Sequence, residues 1–186
     1  MRKAAMSSKS SCEITIDPSF PSEYKAYIQV GVAIANKHWP VTQKLTFIPS
    51  SGRTRNGWCR KISAGRYRFL IGINTSMINP NDVIQTVIHE VLHSYKETYR
   101  EGHKGEWKKR AAAISAEYPD LHIRRTNHCE KDVTVLKPFK HFIKCENCGH
   151  VYEYVKMPTK RIIAEIKKGE RYCGCCKSHR LIFGNH

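Results

Sequence analysis

An H-E-x-x-H pattern occupies residues 89–93 of the chain. On a helix, residues four positions apart share a face, so the imidazoles of His89 and His93 can bind one metal ion while Glu90 lies beside them. A catalytic zinc site takes three protein ligands and leaves its fourth position to water. His103 follows a glycine that can reverse the chain, so we expect it to be the third ligand of one catalytic Zn²⁺.

Such a site would carry out hydrolysis, with Glu90 as its catalytic residue. Zinc lowers the pKa of a bound water towards about 7, and a neighbouring carboxylate can take that proton and deliver it to a leaving amine. Tyr95 and Tyr99 carry hydroxyls that could stabilise an oxyanion, although packing on the helix is the simpler interpretation of both. The alternative to the metal site as a whole is a set of ordinary core or solvated histidines.

A second metal site is predicted from the cysteines. Two C-x-x-C pairs, Cys145 with Cys148 and Cys173 with Cys176, are typical of the two turns that hold one structural Zn²⁺ between four thiolates. Cys175 is an extra thiol, so Cys173 and Cys175 remain an alternative pair, although the spacing of the first pair favours Cys176. Ordinary thiols and a four-thiolate iron centre are the other interpretations.

The elements that position the histidines follow from the hydrophobic pattern. Residues 79–82, Asn-Pro-Asn-Asp, are a strong helix start. The apolar residues after them recur at helical spacing and predict a core helix that runs to about Tyr99. A further helix is predicted from the face that contains Trp107, Ala111 and Ile114.

Strands are predicted in front of these helices. Residues 44–49, 56–62 and 66–73 are short runs rich in aromatic and branched side chains, separated by Ser-Gly and Ala-Gly turns. An amphipathic helix that Pro40 ends comes before them. We therefore expect an α+β fold with helices packed on a small antiparallel sheet, followed by a β-rich four-cysteine zinc ribbon.

After the predicted helix that contains Trp107, the sequence is rich in cysteine and shows little helical periodicity. This change predicts three regions. They are a flexible basic leader over residues 1–20, a catalytic domain over 21–130 and a zinc-ribbon subdomain over 131–186. No apolar run approaches the ~20 residues that cross a bilayer, so we expect no membrane partner. Without a recognisable signal segment, the chain is expected in the cytoplasm.

The formal net charge of +16 predicts a polyanionic partner, with nucleic acid as the first candidate. Basic and aromatic residues interleave in the ribbon, where cations can neutralise phosphates and rings can stack on unpaired bases. The residues expected to bind nucleic acid are Lys156, Lys160, Arg161, Lys167, Lys168 and Arg171. A second basic patch comprises Arg53, Arg55, Trp58, Arg60, Lys61, Arg66, Tyr67 and Arg68. A solvated charged face is the alternative for either patch.

The stretch from Ile73 to Trp107 resembles the SprT/Spartan family of zinc metallopeptidases. "INTSMI" leads into "VIQTVIHEVLHSY" and then "REGHKGEWKKRA", whereas the family usually has glycine directly after the third histidine. The resemblance covers about residues 20–127 and implies a zincin-like fold. It also implies zinc binding by His89, His93 and His103, acid–base catalysis by Glu90, and proteolysis of DNA-bound or DNA-crosslinked proteins. Bacterial members also carry a C-terminal zinc ribbon.

The leading hypothesis is thus a zinc metalloprotease acting on DNA-associated or DNA-crosslinked proteins, with single-stranded or junction-containing DNA as its favoured partner. It would be associated with the nucleoid in a bacterium and lie in the nucleus of a eukaryote. The alternative is a regulatory DNA- or RNA-binding zinc-ribbon protein whose histidine site is inactive or non-proteolytic. A third hypothesis keeps the metal and makes RNA the substrate.

Overall fold

The computed structural model describes residues 13–62 and 68–186, which form an α+β protein with four helices and two small sheets. The chain divides into two compact units, one that ends at Leu136 and one that begins at Lys137. The elements of the first unit are β1 (Ile14–Ile16), α1 (Ser22–His38), β2 (Lys44–Ser50), β3 (Gly57–Lys61), β4 (Arg68–Asn74), α2 (Pro80–Leu92) and α3 (Gly105–Glu117). Those of the second are β5 (His141–Cys145), β6 (Val151–Tyr154), α4 (Lys160–Lys167) and β7 (Leu181–Asn185).

The sheet of the first unit is mixed, so the prediction of an antiparallel sheet is wrong. Its strand order is β1-β2-β4-β3, with β1 and β4 both parallel to β2, and only β3 antiparallel to its neighbour β4. The reason lies in the connections. Helix α1 returns the chain between β1 and β2, as parallel pairing requires, and β3 lies at the outer edge beyond β4. The amino-acid composition of the strands predicts neither this helical connection nor the edge position of β3.

The prediction of a flexible leader over residues 1–20 is wrong for residues 14–16, because Ile14–Ile16 form β1. Ile14 pairs with Leu45 and Ile16 with Phe47, which adds an edge strand to the sheet. Residues 1–12 and 63–67 lie outside the described part of the chain, and with them the predicted start of β4 at Arg66 and Tyr67.

Helix α2 begins as the sequence predicts and ends earlier. The Asn79 side chain caps it by accepting a hydrogen bond from the backbone N–H of Asn81 at 2.9 Å. The helix ends at Leu92 instead of Tyr99, because side chains further along take its last carbonyl oxygens. Ser94 Oγ donates to the Val91 carbonyl at 2.6 Å, and the Thr98 hydroxyl donates to the Leu92 carbonyl.

The core of the first unit lies between the sheet and the helices. Phe47, Phe69 and Ile71 on the sheet are fully buried, as are Ile28 of α1 and Ile88 of α2. This core holds α2 by one face and leaves the face that carries the H-E-x-x-H residues beside a cleft.

The second unit has a three-stranded antiparallel sheet of order β6-β5-β7 and the helix α4. Its buried apolar residues are few: Ile143, Cys145, Ile166, Cys173 and Leu181. Two of them are members of the predicted zinc site. Among the described residues, none of the helices has both the length and the apolar character that a membrane-spanning segment needs.

Candidate metal centres

The three histidines predicted to bind a metal converge on one point in the first unit. The Nε2 atoms of His93 and His89 are 3.3 Å apart, those of His93 and His103 3.1 Å, and those of His103 and His89 2.9 Å. Nitrogens bound to a tetrahedral Zn²⁺ at 2.0–2.1 Å are separated by about 3.3 Å. The spacing of the three nitrogens therefore fits a shared metal ion. His93 is the residue directly after α2 but keeps a helical backbone, so its four-residue relation to His89 is preserved.

Two neighbours fix the orientation of these rings. His89 Nδ1 lies 2.8 Å from the carbonyl oxygen of Arg124, which makes Nδ1 the donor and leaves the Nε2 lone pair for a metal. The Trp107 ring, which is buried, stacks on His93 with 5.3 Å between centroids and meets His103 edge-on at 4.7 Å. The indole ring thus packs directly against the histidine cluster.

Burial keeps the three imidazoles neutral at physiological pH. It lowers the pKa of His89 to about 3, with the nearby charges of His93 and His103 acting in the same direction. It lowers the pKa of His93 to about 4, and that of His103 also falls, with Arg125 contributing. Neutral imidazole is the form that ligates metals, so no proton must be displaced for binding.

Glu90 lies beside the cluster, and 7% of its surface is exposed. Desolvation raises the pKa of its carboxyl group to about 8, and the positive charge of Arg55 opposes that rise. Its position depends on Gly57 at the start of β3, since a Cβ there would come within 2.9 Å of Glu90 Cγ and 2.7 Å of Thr86 Cγ2. The edge strand and α2 approach closely only because residue 57 is glycine.

The cluster and Glu90 open into a cleft of about 600 Å³. Its walls include β3 with the loop before it and the segment 123–128 after α3, which the sequence did not connect with the site. The role of Arg124 was missed because it acts through a backbone carbonyl, which no side-chain pattern signals. Tyr99 lines the cleft, whereas the Tyr95 hydroxyl donates to the Trp39 carbonyl at 2.9 Å and serves packing.

The second unit brings four thiols together: Cys145, Cys148, Cys173 and Cys176. Cys145 Sγ lies 3.6 Å from Cys176 Sγ, and Cys148 Sγ lies 3.7 Å from Cys173 Sγ. These separations exceed a disulfide bond and match the roughly 3.8 Å between sulfurs on a tetrahedral Zn²⁺ with 2.3 Å bonds. The four-cysteine cluster is closed, with no fifth protein group required.

Both cysteine turns have the same backbone geometry. The N–H of the first cysteine donates to the carbonyl five residues on, at 2.9 Å from Cys145 to His150 and 2.8 Å from Cys173 to Ser178. Its carbonyl accepts from the N–H four residues on, in Gly149 or in Lys177. Gly149 and Lys177 both have a left-handed backbone, with φ of 74° and 60°.

This equivalence explains which thiol completes the cluster. Cys176 occupies in the second turn the position that Cys148 has in the first, whereas Cys175 is exposed and outside the cluster. Tyr152 supports the second turn: its hydroxyl accepts from the Gly174 N–H at 2.8 Å and lies 3.4 Å from Cys173 Sγ. Donation by that hydroxyl is the main cause that lowers the pKa of Cys173 to about 5.

The residues predicted to bind nucleic acid differ in their surroundings. Glu165 binds Arg161 at 2.7 Å and Arg171 at 2.9 Å, and Lys168 lies 3.9 Å from Glu170. The remaining three are exposed and form no ion pair among the described residues: Lys156, Lys160 and Lys167. Carboxylates thus neutralise half of the predicted basic set.

The second basic patch is also divided. Arg55 and Trp58 line the cleft of the histidine cluster. The Arg60 guanidinium lies over the Trp58 ring and the Lys61 ammonium over the Tyr99 ring, at 5.8 and 5.5 Å from the centroids. Arg53 and Arg68 lie in the same unit, whereas Arg66 and Tyr67 fall outside the described residues.

The two clusters are groups that could hold metal ions, and their donor types suit different roles. Four thiolates suit a closed structural site, whereas three imidazoles leave a fourth position open. Comparisons with protein-family models, curated proteins and solved structures give no match to this chain. The resemblance to the SprT/Spartan family therefore stays a prediction.

Proposed function

We propose that the protein is a zinc-dependent endopeptidase with a zincin-like catalytic unit, and that it cleaves proteins bound or crosslinked to DNA. The observation that carries the proposal is the convergence of three neutral imidazoles beside a buried carboxylate in one cleft. Among the described residues, none forms a hydrogen bond with the Glu90 side chain. Only 7% of Glu90 is exposed, and burying a carboxylate without a partner costs free energy. A group placed this way is available to reacting atoms in the cleft.

His89, His93 and His103 would hold the catalytic ion, and Glu90 would manage the proton. When bound, zinc supplies Lewis acidity, which polarises a peptide carbonyl and makes water more acidic. A cation bound to the three histidines would lower the pKa of Glu90 and favour its carboxylate form, which can accept the proton of the attacking water. Glu90 then donates that proton to the leaving amine. The buried Trp107 ring contacts all three histidine rings and so helps to keep them in place.

The DNA part of the proposal is supported by charge. The chain has a formal net charge of +16, and the second unit presents Lys156, Lys160 and Lys167 without ion-pair partners among the described residues. Basic side chains that contact phosphates give binding that weakens with salt. Binding to DNA would raise the local concentration of attached substrates and so give a sequence-tolerant protease its selectivity.

The test uses one protein substrate in two forms, covalently attached to DNA and free. We expect the wild-type chain to cleave the attached form faster, and the triple variant Lys156→Gln/Lys160→Gln/Lys167→Gln to lose that advantage while still cleaving the free form. Replacing Lys96, Arg100 and Lys108 of the first unit by Gln removes the same charge and serves as the control, because these exposed cations also form no ion pair among the described residues. Equal cleavage of both forms by the wild type would contradict the DNA part of the proposal.

The second candidate is a nucleic-acid-binding ribbon protein whose histidine site does not turn over. The exposed lysines and the closed cysteine cluster of the second unit favour it, because neither needs a catalytic partner. Salt-sensitive DNA binding together with no cleavage of either substrate, in protein loaded with metal at both sites, would select this function.

A further inference from the structure

The cleft around the histidine cluster has an uneven distribution of charge. Arg55, Arg124 and Arg125 all line it, whereas Glu90 is the only acidic residue among the described residues of its lining. All three arginines are exposed, and none forms an ion pair with another described residue. The cleft therefore contains three available guanidinium groups and a single carboxylate that is committed to catalysis.

Each arginine is tied to a member of the catalytic cluster. Arg55, in the loop before β3, lines the cleft together with Glu90, and Arg125 lines it together with His103. The backbone carbonyl of Arg124 contacts His89, so the Arg124 side chain leaves the chain at a residue that the site itself holds in place. The three arginines thus line the cleft from two segments, the loop before β3 and the segment 123–128.

This arrangement deepens the proposed function and rests on it. We infer that the cleft selects protein segments with aspartate or glutamate close to the scissile bond. A guanidinium presents paired donors that match a carboxylate, and three of them in a cleft create a positive potential that a bound divalent cation would increase. Lysine- and arginine-rich segments are repelled by the same charges.

A nucleic acid strand is the other polyanion that could enter the cleft. The residues of the cleft favour an acidic peptide over it. The proposed catalytic groups act on a peptide carbonyl, and Gly57 of the edge strand lies close to Glu90 among them. Its volume of about 600 Å³ lies within the range of small-ligand pockets, which holds a few side chains but no duplex.

The experiment measures binding and cleavage of three labelled peptides that differ only in the residues flanking one central bond. These residues are Glu, Gln or Lys. Binding is measured by fluorescence anisotropy with full-length Glu90→Gln protein, and cleavage with the wild type. We expect the order Glu, Gln, Lys in both, with about 2- to 5-fold between charge states for each arginine engaged. The preference should shrink between 50 and 300 mM salt, because exposed pairs are screened.

The double change Arg55→Gln/Arg125→Gln should reduce the Glu-to-Gln ratio of binding by about 4- to 25-fold if both pairs act independently. Arg100→Gln is the matched control, because Arg100 is an exposed arginine of the same unit outside the cleft lining, and it should leave the ratio unchanged. A circular dichroism melt confirms that each variant is folded.

Three outcomes decide the inference. Equal binding of the three peptides overturns it, whether or not they are cleaved. A single-stranded oligonucleotide that displaces the Glu peptide from wild type but not from the double variant, together with no preference among peptides, assigns the cleft to nucleic acid and also overturns it. An acidic preference in binding without any cleavage supports the inference and counts against the proposed endopeptidase, so the two failures are distinguishable.

Discussion

The two candidate metal centres differ in what surrounds them. The histidine cluster lies at the edge of a large core, which includes fully buried residues of the sheet, α1 and α2. The cysteine cluster contributes two of the five buried residues of its unit and is itself part of the core. In the first unit the apolar core positions the metal ligands. In the second unit the core is small, so the bound metal would have to stabilise the fold. A metal ion bound at either site would therefore have different consequences for folding.

The largest effect is expected from breaking the cysteine cluster. Cys148→Ser should abolish metal binding and unfold the second unit, because structural zinc contributes roughly 10–16 kcal/mol in small domains and this unit has little else to stabilise it. Hydrogen exchange should show loss of protection over β5–β7 while α1 and α2 stay protected. Cys175→Ser is the control, since Cys175 is exposed and outside the cluster, and it should keep both metal and protection. A protected second unit in metal-free protein would refute the assignment.

Breaking the histidine cluster should give the opposite pattern. His93→Ala should lose the ion of the first unit and all cleavage, yet change the free energy of unfolding of that unit, compared between metal-free proteins, by only about 1 kcal/mol, because the core does not depend on the ligand. Metal content by mass spectrometry and a thermal melt measure the two quantities. His122→Ala, an exposed histidine of the same unit, should change neither. Collapse of the first unit on loss of the ion would erase the contrast between the two centres.

A smaller effect is expected at the hydroxyl that supports a ligand. Tyr152→Phe removes the hydrogen bonds to Cys173 and Gly174 and should weaken metal affinity of the second unit by about 10-fold, the lower end for lost outer partners of metal ligands. Competition with a chromophoric chelator measures the affinity. Tyr154→Phe is the matched control on the same strand, and an equal loss there would show that packing, not the hydroxyl, is responsible.

The smallest effect concerns backbone conformation. Gly149→Ala adds a methyl group into open space but keeps φ at 74°, so the cost is that of the left-handed backbone alone, about 1 kcal/mol. The melting temperature of the second unit in holo protein should fall accordingly. Gly52→Ala, at a glycine of the first unit that lacks a left-handed backbone, should leave that melt unchanged.

Much of the histidine and cysteine sites could be predicted from sequence, because local spacing places their ligands in pairs, which the fold then brings together with the remaining ligands. An i, i+4 pair on a helix and two C-x-x-C turns each place their ligands together before any tertiary fold exists. The exclusion of Cys175 needed the structure, because it follows from the hydrogen bonds of the two turns.

The remaining features depend on contacts between distant segments. Strand order and direction in the sheet could not be predicted, since β3 and β4 carry similar residues whichever way they pair. The apolar pattern of the sequence continues past Leu92, but α2 ends there because the Ser94 and Thr98 hydroxyls donate hydrogen bonds to its last carbonyl oxygens. Segment 123–128 enters the cleft from a part of the sequence with no motif, and the ion pairs of Glu165 were hidden among surrounding charges.

The most direct test of the account is to compare wild-type protein with Glu90→Gln for cleavage of a DNA-attached protein and for metal content. Glu130→Gln, an exposed carboxylate of the same unit, is the control. The account predicts about two metal ions per chain in all three proteins, with cleavage by wild type and Glu130→Gln and none by Glu90→Gln. Turnover that survives in Glu90→Gln with both ions bound would contradict it, because the proton transfers would then need another group.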